Sequence, residues 1–162
     1  MASGESLMHS SSGAQSKVTL VAQLTGAAFE ELSGRTGRVL VAEQIEGGAE
    51  CVIGVSHDEL FGPVVMFGLG GVFVEVFEDV TFRVPPFDKA EARRMIDEVR
   101  GSTLLKGARG RKKGDLTALV DTIMKVQKLA VDNAATLAEL DINPLVVLPK
   151  GVVALDALAV AK

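Results

Sequence analysis

The sequence predicts an α+β fold, a largely antiparallel sheet with two helices on one face. Apolar, strand-like runs occur in the first half of the chain and again near its end. The links between consecutive runs are too short for the crossovers that parallel neighbours need. Between these runs the apolar residues change to helical spacing. A sheet that buries one face under helices is the usual α+β solution. The 162 residues, 48% of them hydrophobic, suffice for one such core, and we find no internal repeat.

The first half of the chain consists mainly of predicted strands. KVTLVAQLTG is a candidate strand that ends at Gly26, and AAFEELSGRTG is a short candidate helix. Turn signals such as Gly47-Gly48, HDELFGP and Pro85-Pro86 bound the runs that follow. These predicted strands are RVLVAEQI, AECVIGVSH, VVMF, VFVEVF and VTFRV. We expect the first two of them to form a hairpin across the glycine pair.

Two helices should follow. FDKAEARRMIDEVRGS has apolar residues at helical spacing, with Asp88 as N-cap, Glu91 completing a capping-box-like pattern and Gly101 as the stop. A basic, glycine-rich loop, KGARGRKKGD, leads to a second helix that begins at Asp115. Its apolar stripe comprises Leu116, Leu119, Val120, Ile123, Val126 and Ala130.

Three short strands are predicted at the end of the chain. They are TLAELDI, PLVVL and GVVALDALAV, with Pro144 and Lys150-Gly151 at the turns. At the other end, residues 1–16 are polar and rich in serine and glycine, so we interpret them as a disordered lead or a remnant of cloning.

Composition argues against several classes of protein. The net charge of −4 lacks the basic surplus of a nucleic-acid-binding protein. No apolar run approaches the ~20 residues that span a bilayer, and the N-terminus does not have the pattern of a signal peptide, so no membrane partner is expected. Cys51 is the single cysteine, which indicates a reducing, cytoplasmic compartment and a core position rather than a nucleophile. With no Ser/His/Asp set and no zinc spacing, no catalytic residue is predicted.

Oxygen-bearing side chains cluster in ELDINP. Alternation along a strand places Glu139, Asp141 and Asn143 on one face. The turn at Lys150-Gly151 would bring Asp156, on the next strand, beside Asn143. Mg²⁺ prefers such hard oxygen ligands. The alternative is a solvated strand face with Asp156 capping a turn, and the pattern alone leaves both open.

Two further segments carry alternatives. The glycine segment MFGLGG matches neither the dinucleotide motif, because position 73 is Phe, nor a P-loop. It is either a hairpin turn or a place where backbone N–H groups approach phosphate oxygens. The basic loop either neutralises phosphates or is simply solvated. Its cationic residues are Lys106, Arg109, Arg111, Lys112 and Lys113.

Together, these segments resemble a known family. The strings FGPVVMFGLGG, LLKGARG and ELDINPLVV, followed by GVVALDAL, are similar to the ATP-grasp region of NDP-forming acyl-CoA synthetases, relatives of the succinyl-CoA synthetase β subunit. The resemblance covers residues 39–159, and FGPVVMFGLGG disfavours other ATP-grasp ligases. It implies the C-terminal lobe of an ATP-grasp fold and the reversible conversion of acyl-CoA, phosphate and NDP into acid, CoA and NTP, with ATP/ADP and Mg²⁺ as cofactors.

The resemblance also implies roles for individual residues. Asn143 matches a Mg²⁺ ligand and Asp156 matches its partner, and Asp141 completes the candidate metal set. The remaining candidates are nucleotide contacts, the first three through backbone groups at the adenine and the glycines near the phosphates: Glu43, Gln44, Ile45, Glu50, Gly68, Gly70 and Gly71.

The family pattern is incomplete in this sequence. A full N-terminal lobe, which supplies a lysine to the phosphates, precedes the matched region in the family, and residues 17–38 are expected to be only its remnant or a linker to residues 39–162. The relay histidine is also missing, and His57 does not match it. We therefore expect partners that include nucleotide and a CoA-binding subunit or domain, with a homo-oligomer as an option. The alternative is a non-catalytic interaction or regulatory module, which would bind no nucleotide.

Overall fold

The computed structural model describes residues 43–70, 79–110 and 112–162. The chain divides into two units, Met1–Glu46 and Gly47–Lys162. In the first unit only residues 43–46 are described, and they form neither helix nor strand. The end of the predicted strand RVLVAEQI is therefore wrong for residues 43–45. Its earlier part, the two elements predicted before it and the strand VFVEVF lie outside the described residues.

The second unit is an antiparallel sheet with helices on one face, which confirms the predicted α+β class. Its described strands are β1 (Ala49–Asp58), β2 (Gly62–Leu69), β3 (Val80–Arg83), β4 (Leu137–Val147), β5 (Val152–Ala154) and β6 (Ala157–Ala161). Its described helices are α1 (Lys89–Glu98), α2 (Ser102–Leu105) and α3 (Leu116–Asp132), with a 3₁₀ turn at Ala108–Gly110. The strand order is β3-β2-β1-β4-β5, and β6 also pairs with β4.

The β1–β2 hairpin is fixed at its turn by one carboxylate. The Oδ1 atom of Asp58 accepts hydrogen bonds from the backbone N–H groups of Leu60 (2.8 Å) and Phe61 (2.9 Å). Gly62 then takes a positive φ of 73°, which a residue with a Cβ rarely adopts. The resulting register, from Asp58 opposite Gly62 to Cys51 opposite Leu69, makes β2 longer than the predicted strand VVMF.

Local signals place both long helices as predicted. Asp88 caps α1 by accepting from the N–H of Glu91, but the Glu91 side chain pairs with arginines and does not close a capping box. The helix ends at Glu98, earlier than the predicted stop at Gly101. Asp115 caps α3 by accepting from the N–H of Ala118 at 3.0 Å. All six residues of the predicted apolar stripe of α3 are buried.

The core lies between these helices and one face of the sheet. Its fully buried side chains include Cys51, Ile53, Val65, Phe67, Leu69, Met95, Ile96, Leu119 and Ile123. Cys51 is thus a core residue, and burial, with the nearby charge of Glu50, raises the pKa of its thiol to about 12. In residues 43–70, 79–110 and 112–162, no helix is both long and apolar enough to cross a membrane.

The C-terminal strands differ from the prediction in their bounds. TLAELDI and PLVVL form one continuous strand, β4, so Pro144 does not mark a turn. Pro144 instead lies in a bulge, where Asn143 and Pro144 together oppose the single residue Val52 of β1. A bulge is one of the few places where a sheet tolerates proline, because no ladder N–H is required there. GVVALDALAV is divided into β5 and β6.

Candidate metal and nucleotide site

The sheet face turned away from the helices carries a concavity of about 370 Å³. Its polar side is formed by Glu139, Asp141 and Asn143 of β4. Its apolar side includes Val52, Met66, Phe82, Leu158 and Val160, which we call the apolar wall. Phe82 and Leu158 are 53% and 61% exposed, so large apolar surface meets solvent here. Such a surface beside converging polar groups is typical of a binding site.

Asn143 of β4 lies opposite Asp156, which the sequence placed on a strand but which lies in the break between β5 and β6. The turn after β4 is closed by Gly151, which has a positive φ of 82° and whose carbonyl accepts from the N–H of Leu148 at 3.1 Å. The returning chain then follows β4 antiparallel, and the N–H of Asn143 donates to the carbonyl of Asp156 at 3.2 Å. The turn and the pairing therefore place residues 143 and 156 opposite each other.

Asp141 is electrostatically coupled to this pair. Partial desolvation, and then the negative charge of Asp156, raise the pKa of the Asp141 carboxyl above its ordinary value. In the described part of the chain, no lysine or arginine forms an ion pair with either carboxylate. Two neighbouring carboxylates and one amide oxygen without a balancing cation fit a hard divalent ion such as Mg²⁺.

This set contains fewer acidic groups than an all-protein metal cage. Among the described residues, no group of three or more His, Cys, Asp or Glu side chains is placed to hold a metal ion. Asp156 also accepts a hydrogen bond at Oδ1 from the N–H of Ala157, at 2.8 Å. Mg²⁺ commonly takes only one or two carboxylates and completes its shell with water and substrate phosphates, so the donor set suits a metal–nucleotide complex better than a bare ion.

Close packing explains the two described glycines of the candidate set. Gly68 lies within β2, not in a turn, and a Cβ there would lie 2.9 Å from Cγ1 of Val80. The N–H of Gly70 donates to the carbonyl of Glu50 at 2.8 Å, and a Cβ on Gly70 would lie 2.9 Å from the Cβ of Glu50. Gly71 lies outside the described residues. A role for these glycines at phosphates stays a prediction.

Of the remaining candidate nucleotide contacts, some lie outside the second unit. Glu43 and Gln44 are exposed and Ile45 is half-buried, and all three belong to the first unit. Glu50 is exposed on β1, opposite Val146 of β4. Their contacts with adenine stay predictions.

The basic loop is anchored at its start. The Nζ atom of Lys106 lies 2.8 Å from the Asp97 carboxylate of α1, so this lysine is engaged within the protein. Lys112 and Lys113 are exposed, while the side chains of the two arginines lie outside the described part. Solvation of the loop and binding of phosphate both stay open.

Sequence reasoning missed the apolar wall and a buried carboxylate. Leu158 and Val160 alternate with alanines along β6, a pattern that indicates one larger-side-chain face, but the sequence alone did not identify that face as the concavity. Asp79 is only 8% exposed and accepts hydrogen bonds from the N–H groups of Arg100 and Gly101. No local signal marks that contact, because its partners lie more than twenty residues away.

Comparisons with known proteins identify the family of the chain. A family model described as an ATP-grasp domain matches residues 18–160. The chain is 41% identical over 141 residues to the ADP-forming acetate–CoA ligase I of Archaeoglobus fulgidus, which covers 82% of this chain and 20% of that protein. It is 44% identical over 126 residues to the β subunit of the ADP-forming acetate–CoA ligase II of Pyrococcus furiosus, covering 76% of this chain and 53% of that subunit.

A solved structure is also similar to this chain. The fold is similar, with a TM-score of 0.76 and 41% identity, to the dinucleotide-forming acetyl-coenzyme A synthetase 1 of Ca. Korarchaeum cryptofilum in complex with coenzyme A and Mg-AMPPCP. The match covers 83% of this chain and 62% of that one. The chain therefore spans between a fifth and less than two thirds of these relatives. It belongs to the ATP-grasp family, among the ATP-grasp domains of NDP-forming acyl-CoA synthetases.

Proposed function

We propose that the chain is the nucleotide- and Mg²⁺-binding subdomain of an NDP-forming acyl-CoA synthetase. The whole enzyme would convert acyl-CoA, phosphate and a nucleoside diphosphate into the acid, CoA and a nucleoside triphosphate. One observation carries the proposal: Asp141 and Asn143 line the concavity, and the backbone of Asn143 pairs with that of Asp156, whose charge acts on Asp141. The similarity to a synthetase solved with Mg-AMPPCP supports the same assignment.

Each residue of the site has a defined task in this proposal. The amide oxygen of Asn143 and the carboxylate of Asp156 would hold the metal. Asp141 would add negative charge beside it. Desolvation, and then repulsion by Asp156, raise the pKa of Asp141, and a bound cation would offset that repulsion. Bound Mg²⁺ screens the charge of the nucleotide phosphates during phosphoryl transfer. The apolar wall excludes water from one side of the site, which strengthens these electrostatic interactions.

The nucleotide contacts extend the same proposal. Backbone groups of residues 43–45 would hold the adenine, with Glu50 as a further contact. The backbone around Gly68, Gly70 and Gly71 would lie near the phosphates, although the N–H of Gly70 itself donates to the carbonyl of Glu50. Because the chain covers only part of its relatives, a CoA-binding subunit or domain would supply the remaining groups. The buried, reduced Cys51 fits a cytoplasmic location.

Calorimetry with the full chain tests the proposal. We expect Mg·AMPPCP to bind the unmodified chain, and Asn143→Ala or Asp156→Asn to weaken that binding on the order of tenfold or more, as loss of a metal-site group does. Asp132→Asn is the matched control, since Asp132 is an exposed carboxylate at the end of α3 that pairs with Lys128 and does not line the concavity. With EDTA and no Mg²⁺, the site variants and the unmodified chain should give equal heats.

Two outcomes would contradict the assignment in different ways. Equal affinity for Mg·AMPPCP in the unmodified chain and in Asp156→Asn would reject the metal ligands. A complete lack of nucleotide binding with Mg²⁺ present would favour the alternative, a non-catalytic interaction module that uses its exposed apolar wall for docking.

A further inference from the structure

Gly54 lies at the centre of a row of residues that crosses the sheet at the concavity. It is opposite Met66 of β2 on one side and opposite Asp141 of β4 on the other. The row continues to Phe82 of β3 and to Leu158 of β6, and all five residues line the concavity. Because residues directly opposite each other in antiparallel strands share a face, a side chain at position 54 would project into the concavity.

Every other described glycine has a reason within the fold to lack a side chain. Six of them have a positive φ, which residues with a Cβ rarely adopt: Gly47, Gly48, Gly62, Gly107, Gly110 and Gly151. At the other four, a Cβ would lie within 2.9 Å of another residue: Gly68, Gly70, Gly101 and Gly114. A Cβ on Gly54 would meet only the terminal methyl group of Met66 at 3.2 Å, and this flexible side chain can move by the small amount required.

Strand geometry does not explain Gly54 either. Glycine in the interior of a strand weakens the fold, because it loses more conformational freedom than other residues and contributes no side-chain packing. A β-bulge can favour glycine, but the register shift between β1 and β4 lies between Cys51 and Ile53, and the pairing is regular from Ile53 to Val55. A strand glycine without such a local role is typical of a place where a ligand approaches the backbone closely.

We propose that Gly54 is a positioning residue of the nucleotide site, and that its missing side chain keeps the space beside Asp141 open for the metal-bound phosphates. This inference rests on the proposed function, because Asp141 belongs to the candidate metal set. Neighbouring strands lie only about 4.8 Å apart, so Asp141 and Met66 border this space closely on its two sides. A side chain at position 54 would fill the space or push the Met66 methyl group into it.

Two measurements on the full chain separate this role from a structural one. In urea, Gly54→Ala should leave the unfolding midpoint unchanged or raise it, because alanine loses less conformational freedom than glycine on folding. In calorimetry, we expect Gly54→Ala to weaken Mg·AMPPCP binding at least about fivefold, the lower end of the cost of overpacking a filled space. Gly54→Val should weaken binding further, although valine is favoured in strands.

Gly101→Ala is the matched control and should show the opposite pattern. Its new Cβ would lie 2.2 Å from Cδ1 of Leu69, in the core and away from the residues that line the concavity. We therefore expect a lower urea midpoint and an unchanged affinity of the folded chain for Mg·AMPPCP.

The possible failures are distinguishable. If the unmodified chain binds Mg·AMPPCP and both Gly54 variants bind it equally well, the role of Gly54 is overturned while the proposed function stands. A urea midpoint that Gly54→Ala lowers as far as Gly101→Ala does would show that the fold itself requires glycine there, which also overturns the role. If the unmodified chain binds no nucleotide with Mg²⁺ present, the proposed function fails and the role of Gly54 fails with it.

Discussion

Replacing Asp79 by alanine should destabilise the fold because two backbone N–H groups, one buried and one partly buried, would lose their acceptor. The Oδ1 atom of Asp79 accepts from the N–H of Arg100 at 2.9 Å, and its Oδ2 atom accepts from the N–H of Gly101 at 3.0 Å. Asp79 is 8% exposed, and the bond to Gly101 is fully buried. One side chain therefore joins the start of β3 to the turn between α1 and α2, which the backbone alone does not connect.

The expected loss follows from these contacts. A hydrogen bond to a charged acceptor contributes about 1.5–3 kcal/mol, and alanine would leave both N–H groups without their partner. We therefore expect Asp79→Ala to lower the free energy of unfolding by about 4 kcal/mol, a large share of the 5–15 kcal/mol typical of a domain. Asp79→Asn retains one acceptor oxygen and should lose roughly half as much.

Urea unfolding followed by far-UV circular dichroism measures the effect, since the chain has no Trp or Tyr for fluorescence. Asp58→Ala is the matched control, because Asp58 also accepts two backbone hydrogen bonds, from Leu60 and Phe61, but in an exposed turn. Water can replace its oxygen there, so its loss should be much smaller. If Asp79→Ala and Asp58→Ala shifted the unfolding free energy equally, the reasoning from burial would be refuted.

Three further predictions concern charge, thiol reactivity and packing. A hydrogen bond from Arg94 holds the pKa of Glu91 at about 2 instead of 4.5. The stability from Glu91 is therefore present above pH 4.5 and lost as the pH falls towards 2. In urea unfolding at a series of pH values, the free energy of unfolding of Arg94→Ala should fall less steeply in acid than that of the unmodified chain. Cys51, with a pKa of about 12, should react with a disulfide reagent at pH 8 far more slowly in the native chain than in urea, and equal rates would contradict its burial. In Gly101→Ala the new Cβ would lie 2.2 Å from Cδ1 of the buried Leu69, and we expect a loss of about 1–3 kcal/mol in the same urea assay.

Features encoded by neighbouring residues were predictable from the sequence. The caps at Asp88 and Asp115 and the apolar stripe of α3 depend on residues within a few turns of helix, so spacing alone reveals them. The pairing of Asn143 with Asp156 was also predictable, because one tight turn at Gly151 brings the chain back alongside β4. Only the assignment of a metal to that pair cannot be made from the sequence pattern alone.

Contacts between distant segments were not predictable in this way. Gly68 and Gly70 suggested a turn, yet Gly68 lies inside β2, and Gly70 packs on Glu50. A glycine signals that a side chain is absent but does not say which neighbour requires its absence. That neighbour is set by the β2–β3 register for Gly68 and by the β1–β2 pairing for Gly70, a property of the folded sheet rather than of any strand alone.

The bulge at Asn143-Pro144 shows how one local irregularity organises the candidate site. Before the bulge, Leu140 and Ile142 face the core, and after it Leu145 does. With strict alternation Leu145 would point away from the helices, so the extra residue restores its burial. Because the bulge lies at Asn143, the polar face of β4 ends beside Asp156. Asp156 itself lies in the break between β5 and β6. Burial of the core after the bulge and exposure of the oxygen ligands before it therefore depend on the same inserted residue.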